Sequence, residues 1–281
     1  MFLRKWAKFQ PVKAAVVAAL LMVLGCGSAA AQGNGAPVWN QAYQENYERD
    51  TIKEILAGAR NAYVLLDPFD EEWQGARGRV VRKLQAKGNR VAAYISIGTA
   101  EDWRDDFTAL TPFMATRPWG EWPGEHFIAT LHPTVLDVMK RRVDRIAAWD
   151  FDWVEFDNMD WAFDRKNLRD YALKVTPQDA AAYFRALCSY VHQKGMRCMA
   201  KSSVLGAEHF DGVTYESYPD DISWWDEDGA LRFAKAGKPV VIVHYDTRDC
   251  RRVYDMYRAQ YGRSLSFLCE DPAQNGYVRF P

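Results

Sequence analysis

The 281-residue sequence contains no C-x-x-C pair, no G-x-G-x-x-G or Walker loop, and no G-x-S-x-G elbow. The first absence argues against a zinc ribbon, and without glycine-rich loops nothing is built to cradle nucleotide phosphates. Ser202 and Ser203 lack the context of a serine hydrolase. The histidines, His126, His132, His192, His209 and His244, are scattered without metal-ligand spacing, so no metal and no other cofactor is expected. A basic tract is missing too. Lys and Arg number 36 against 37 Asp and Glu, a balance that excludes the electrostatic footprint of a nucleic-acid partner. No apolar run reaches the length of a membrane-spanning helix. Neither an internal repeat nor a low-complexity linker divides the chain, which reads as one domain.

The N-terminus is built for export. Arg4, Lys5, Lys8 and Lys13 precede an apolar run over 14–24, and the small residues 25–31 follow. Ala29-Ala30-Ala31 fits a cleavage site that releases a soluble protein. Val23-Leu24-Gly25-Cys26 resembles a lipobox that would leave a lipid anchor at Cys26, the one route to a membrane; Leu24 is a poor fit there, which tips the reading to the soluble form. Residues 1–31 are therefore expected to be a signal peptide, 32–58 an N-terminal extension and 59–281 the folded domain. Four cysteines remain after cleavage, and an oxidising compartment favours disulfides. Cys250 and Cys269 fall near the ends of neighbouring strand–helix units and are expected to pair, with Cys188–Cys198 a second bridge.

Strand-like runs occur at 62–66, 91–97, 127–131, 153–157, 197–201, 212–215, 239–244 and 265–268. Amphipathic helices separate several of them. Thr176-Pro177-Gln178-Asp179 supplies an N-cap and a first-turn proline, Ala181, Phe184, Leu187, Cys188 and Val191 share a face, and Gly195 ends the helix. Val135, Val138, Met139 and Ile146 repeat the pattern one unit earlier, with Arg142 interrupting it. Eight such units in roughly this length fit a closed α/β barrel, a (β/α)8 TIM barrel, ahead of an open doubly wound sheet.

Barrel chemistry sits at the C-terminal ends of the strands. Alternation along 153–157 turns Val154 and Phe156 toward the helices, and Trp153, Glu155 and Asp157 inward. Along 212–216 it turns Thr214 and Glu216 inward. Asp157 and Glu216 thus end strands two apart around the rim, a disposition suited to the two carboxyl groups of glycoside cleavage. Asp157-Asn158-Met159-Asp160 marks the strand turning into its loop. Other acids after strands, Asp102, Asp105, Asp179, Asp220 and Asp221 among them, read as helix caps or solvated charges. Trp73, Trp103, Trp119, Trp122, Trp161, Trp224 and Trp225 all follow strand ends, where indoles either stack on sugar rings or pin loops to the barrel. Lys201 ends its strand and suits a Schiff base, a sugar contact or a structural ion pair. His244 suits a ligand contact or a local hydrogen bond.

"YISIGTAEDWRDDF" from 94, "WPGEHFI" from 122, "FDWVEFDNMD" from 151, "YESYP" from 215 and "GKPVVIVHYD" from 237 resemble glycoside hydrolase family 114, over roughly 60–270. The resemblance implies a (β/α)8 barrel and hydrolysis within an α-1,4-linked, galactosamine-rich polysaccharide. It places Asp157 and Glu216 on the family's strand-four and strand-six acids. Asp67 falls on the acid ending the first strand, Tyr94 on an aromatic of the second, and Lys201 on a strand-end lysine. Trp103, Trp122, Trp161, Asn158, Asp160, Glu155, His244 and Tyr245 complete the expected substrate contacts. Ser202 stands where an asparagine is expected, His244 where a glutamate usually precedes the tyrosine, and Glu155 replaces a shorter aspartate. No cysteine follows Glu216 closely. These departures rim the pocket and bear on the sugar rather than on the reaction class. Two other readings remain: a carbohydrate-binding barrel without turnover, and a lysine-dependent aldolase using Lys201.

Overall fold

Short β-branched runs bounded by Gly, Pro and Asn set the strands, and 3.6-residue apolar patterns set the helices between them. The structure is a computed structural model that describes residues 35–43, 51–120, 122–219, 227–271 and 277–280. The expected leader with Cys26, and Asp220, Asp221, Trp224 and Trp225, lie outside the described residues. The strands are β1 (Val38–Asn40), β2 (Tyr63–Leu66), β3 (Arg90–Ser96), β4 (Thr99–Glu101), β5 (Glu125–Phe127), β6 (Trp153–Asp157), β7 (Arg197–Lys201), β8 (Gly212–Ser217), β9 (Val240–His244), β10 (Leu265–Glu270) and β11 (Tyr277–Phe280).

One sheet runs β1-β2-β3-β6-β7-β8-β9-β10-β11. Every pairing in it is parallel except that of β11, which folds back antiparallel on β10. The two ends of the parallel array meet, so the barrel is nearly closed. Gly35 N donates to Arg263 O at 2.8 Å, Ala36 N to Ser266 Oγ at 3.1 Å, and Arg279 Nε to Val38 O at 3.1 Å. The interior is filled by Val38, Tyr63, Leu65, Ala92, Trp153, Met199, Val241, Val243 and Leu268. The alternate residues of the same strands pack against the helices.

Two expectations about strands are corrected. The run at 127–131 is not a barrel strand. Only its start is extended, as β5, which pairs antiparallel with β4 outside the barrel. β3 pairs directly with β6, leaving no slot between them. The run misleads because Phe127 and Ile128 are fully buried, but against the excursion 97–132 rather than in the barrel wall. The eighth parallel strand is instead β1, inside the stretch expected to precede the barrel. At three residues it is too short to show a period. The two errors offset each other: Trp153–Asp157 is the fourth barrel strand as expected, while Asp67 follows the second.

The helices end where their sequence signals lie. Thr176 Oγ1 accepts from Asp179 N at 3.1 Å to open the helix Pro177–Gln193, and Gly195 beyond it adopts a φ of 79°. Arg142, the interruption in the helix Pro133–Ala148, is buried rather than solvated. It donates to Asp106 at 2.7 and 2.8 Å and to Glu101 at 3.2 Å, and Glu101 in turn accepts from Arg104 at 2.7 Å. Arg104 then grips both oxygens of Asp67 at 2.9 Å. Alternating charges in this chain satisfy one another, which is what lets them lie inside. Both expected disulfides form, Cys250–Cys269 and Cys188–Cys198, with Cα separations of 5.8 and 5.5 Å. No helix among the described residues is long and apolar enough to cross a membrane.

Candidate active site

Alternation along β6, β7 and β8 delivers Asp157, Lys201 and Glu216 to the C-terminal mouth. Lys201 Nζ lies 3.1 Å from Asp157 Oδ2 and 3.0 Å from Glu216 Oε2, and joins them. Those two legs hold the facing oxygens Asp157 Oδ2 and Glu216 Oε2 within about 6 Å of each other, close enough for both carboxyl groups to flank one glycosidic bond. The side chain of Glu216 is 21 % exposed and that of Asp157 11 %, whereas Lys201 is sealed at 2 %. The carboxylates face solvent and the lysine lies behind them.

Burial works against the lysine's charge. Asp157, Glu216 and Glu155 outweigh it and hold Lys201 above the ordinary lysine range. The face of Tyr43 lies 3.5 Å from Nζ, and that of Tyr94 5.4 Å. Tyr43 donates its hydroxyl to Glu155, which is fully buried one inward position below Asp157. Glu155 therefore supports the lysine and Tyr43 from beneath and is not placed to touch a sugar.

Asp157 Oδ1 accepts from its neighbour Asn158 N at 2.7 Å and from Ser202 Oγ at 3.3 Å. Asn158 and Ser202 both adopt left-handed backbone, φ 57° and 68°, so the chain turns sharply on either side of this carboxylate. A Cβ at Gly98 would sit 2.2 Å from Asn158 O, so glycine alone fits against this turn. The amide of Asn158 donates to Ser96 Oγ at 3.0 Å and lies 3.5 Å from Glu125, which accepts from Thr99 Oγ1 at 2.5 Å. Across the mouth, Tyr245 donates its hydroxyl to Glu216 Oε1 at 2.6 Å and stacks on Tyr218 with centroids 5.0 Å apart. Burial raises the pKa of both tyrosines, and the charges of Glu216 and of the inward-facing Glu270 at the end of β10 add to it.

The structure brings together Asp157, Glu216, Lys201, Tyr94, Glu155, Asn158 and Tyr245 from the expected set. Asp160, half-buried in the turn after β6, feels the charge of Asp157. Asp67 is committed to Arg104. Trp161 is 1 % exposed, donates to Ile128 O at 2.9 Å and packs on Tyr183 and Phe184, so it pins a loop instead of lining the mouth. His244 points to the helices, with Nδ1 2.9 Å from Ser217 Oγ and its ring stacked on Phe267. Its parity is that of Val240 and Ile242, which fixes it away from the pocket. Trp103 and Trp122, 54 % and 40 % exposed, stand on the excursion that carries β4 and β5. Sequence reasoning missed Tyr43, Glu125 and Glu270. Glu270 shares parity with Ser266 and Leu268, so extending the last strand by two residues finds it.

Three of these acids have carboxyl pKa values raised well above the ordinary carboxylate range. Burial first, then neighbouring acidic charge, pushes Glu125 up to about 8 and Asp160 to about 7; burial pushes Glu155 to about 7 against the pull of Lys201. The unfolded chain releases these protons near the ordinary carboxylate values, so the folded state binds more protons in between. Their contribution to stability is complete below pH about 4 and is lost as pH rises through 7 to 8. Glu125→Gln is therefore expected to flatten the decline in urea-unfolding midpoint between pH 6 and 9. An equally steep decline in the variant contradicts this.

The model of glycoside-hydrolase family GH114 matches residues 28–281. No curated protein sequence matches the chain. Among solved structures, Ega3 of Aspergillus fumigatus in complex with galactosamine superposes with a TM-score of 0.65 at 18 % identity, covering 89 % of this chain and 96 % of that one. The glycoside hydrolase domain of PelA from Pseudomonas aeruginosa gives 0.58 at 15 %, covering 87 % and 97 %. TtGalA, an α-galactosidase from Thermus thermophilus, gives 0.51 at 13 %, covering 86 % and 59 %. At these identities the likeness is one of fold, and the family match over nearly the whole folded chain carries the assignment. With a barrel whose mouth presents two carboxylates bridged by a lysine, the chain belongs to glycoside-hydrolase family GH114 and is a glycoside hydrolase.

Proposed function

We propose that the chain is an exported hydrolase that cleaves within α-1,4-linked, galactosamine-rich polysaccharide, with Asp157 and Glu216 as the catalytic pair. The observation that carries this reading is the Asp157–Lys201–Glu216 bridge at the solvent-facing mouth. Galactosamine bound to the Aspergillus neighbour supports the sugar, and the two disulfides support an oxidising destination. Glu216, with the longer and more exposed side chain, enters the cycle in its acid form, while Lys201 stays paired with Asp157, and gives that proton to the leaving glycosidic oxygen. Asp157, held by Lys201, Asn158 N and Ser202, attacks the anomeric carbon to form a glycosyl ester. Water, losing a proton to Glu216, then attacks the anomeric carbon and releases Asp157 as the carboxylate. The short spacing of the carboxylates favours this retaining course. Asp160 lies beside the pair, and an arriving substrate ammonium draws it to its ionised form.

The test is product analysis after incubation with partly deacetylated galactosaminogalactan, beside glucosamine polymers and neutral galactans. Oligosaccharides from the first alone are expected. Release from a neutral polymer only contradicts the amino-sugar reading. The aldolase reading is disfavoured because Lys201 is charged and bound to two carboxylates, and a Schiff base needs a free amine. Borohydride with carbonyl substrates is expected to leave Lys201 unlabelled.

A further inference from the structure

At the opposite, N-terminal end of the barrel, four potential metal ligands converge. Cys188 and His192 lie one turn apart on the same face of the helix Pro177–Gln193, Cys198 is the second residue of β7, and Asp211 immediately precedes β8. One ligand atom from each lies within 4.8 Å of all the others. His192 Nε2 is 3.7 Å from Cys188 Sγ and 3.8 Å from Cys198 Sγ, and Asp211 Oδ2 is 3.6 Å from Cys198 Sγ. With zinc–sulfur bonds near 2.3 Å and zinc–nitrogen or zinc–oxygen bonds of about 2.0–2.2 Å, a tetrahedral site spaces such pairs about 3.6 Å apart. Three edges of the tetrahedron are thus already at length. His192 Nε2 and Asp211 Oδ2 stand 2.7 Å apart, sharing a proton where the ion would bind. Asp211 is oriented independently, by accepting from Cys198 N at 2.9 Å. Of the other two edges, Cys188–Asp211 lies within the same 4.8 Å, and Cys188–Cys198 is the disulfide bond itself.

We propose that, when this disulfide is open, Cys188, Cys198, His192 and Asp211 bind one Zn²⁺, so that the same junction is closed either by a sulfur–sulfur bond or by a metal ion. A dithiol supplies two electrons and two protons: its sulfurs pair with each other, and Cys188 and Cys198 become thiols. Zinc binding then releases both thiol protons, and the thiolates, the carboxylate and a neutral imidazole occupy four positions. The sulfurs part to roughly the tetrahedral edge and the other ligands shift little. Both sulfurs are buried, while His192 and Asp211 reach solvent and provide the entry path. No catalytic group is involved. The ligands come from a helix, a strand and a loop, which is why local spacing along the sequence does not reveal them.

The test uses the full folded chain, reduced with a trialkylphosphine (oxidised to its phosphine oxide with oxygen from water) and equilibrated with Zn²⁺ or Co²⁺. Reduced protein is expected to hold one zinc per chain after gel filtration. The cobalt form should show sulfur-to-metal charge transfer with the visible bands of a tetrahedral ion, and the oxidised protein should hold none. His192→Ala and Asp211→Asn keep both cysteines and can form the disulfide. Each is expected to weaken zinc binding at least about tenfold after reduction. Unchanged retention in both variants would assign the zinc to Cys250 and Cys269 and overturn the proposal. So would reduced parent protein that holds no zinc, or that unfolds with and without zinc alike.

Discussion

Asp157→Asn is expected to bind the polymer as the parent does and to hydrolyse it on the order of a thousandfold more slowly, or worse. The substitution preserves shape. Asn158 N at 2.7 Å and Ser202 Oγ at 3.3 Å can still donate to the amide oxygen, and Lys201 keeps its second carboxylate on Glu216. The variant loses the negative charge and the nucleophilic oxygen. A structural role for Asp157 would instead appear as lost stability with turnover retained in the folded fraction. Initial rates of reducing-end release, with binding titrated in parallel, separate the two. Parent-like hydrolysis by the variant would falsify the catalytic role and favour a carbohydrate-binding barrel.

Glu216→Gln is expected to cost as much on the polymer, because a glutamine cannot protonate the leaving oxygen. The loss should shrink by about ten- to a hundredfold on an aryl glycoside whose phenolate departs unaided, since acid assistance is then dispensable. Asp157→Asn should show no such relief, because its role precedes any choice of leaving group. The comparison assigns the two roles: relief in Asp157→Asn and none in Glu216→Gln reverses them. Tyr245, which donates to Glu216 Oε1 at 2.6 Å, can donate to the glutamine oxygen, and Lys201, which loses its contact with Oε2, keeps its partner Asp157.

Most of this site was legible from the parity of short strands. Period-two alternation, applied to 153–157 and 212–216, puts Asp157 and Glu216 inward at strand ends two apart, and Lys201 on the strand between them bridges the two. The same alternation, carried along β9, would have turned His244 outward beside Val240 and Ile242. Its place at a strand end, before Tyr245 in the family pattern, suggests a pocket role that this parity denies. Trp161 illustrates a second limit: an indole after a strand end serves a groove or a core equally well, and only its contacts with Ile128 O, Tyr183 and Phe184 decide. Tyr43 was invisible because it lies in the turn after β1, a strand of three residues that is too short to show a period. Arg142 looked like a flaw in an apolar face. Its partners Glu101 and Asp106 lie some forty positions away and become neighbours only through the fold.

The most direct test of the paired-carboxylate mechanism is proton NMR of the first reducing ends formed when the parent enzyme cuts an α-linked galactosamine polymer. Attack by Asp157 followed by attack of water inverts the anomeric carbon twice. The expected first product is the α-anomer, which then mutarotates. Initial release of the β-anomer would contradict the nucleophilic role of Asp157 and the retaining course inferred from carboxylates bridged by one lysine. Failure to generate reducing ends would contradict cleavage of this polymer.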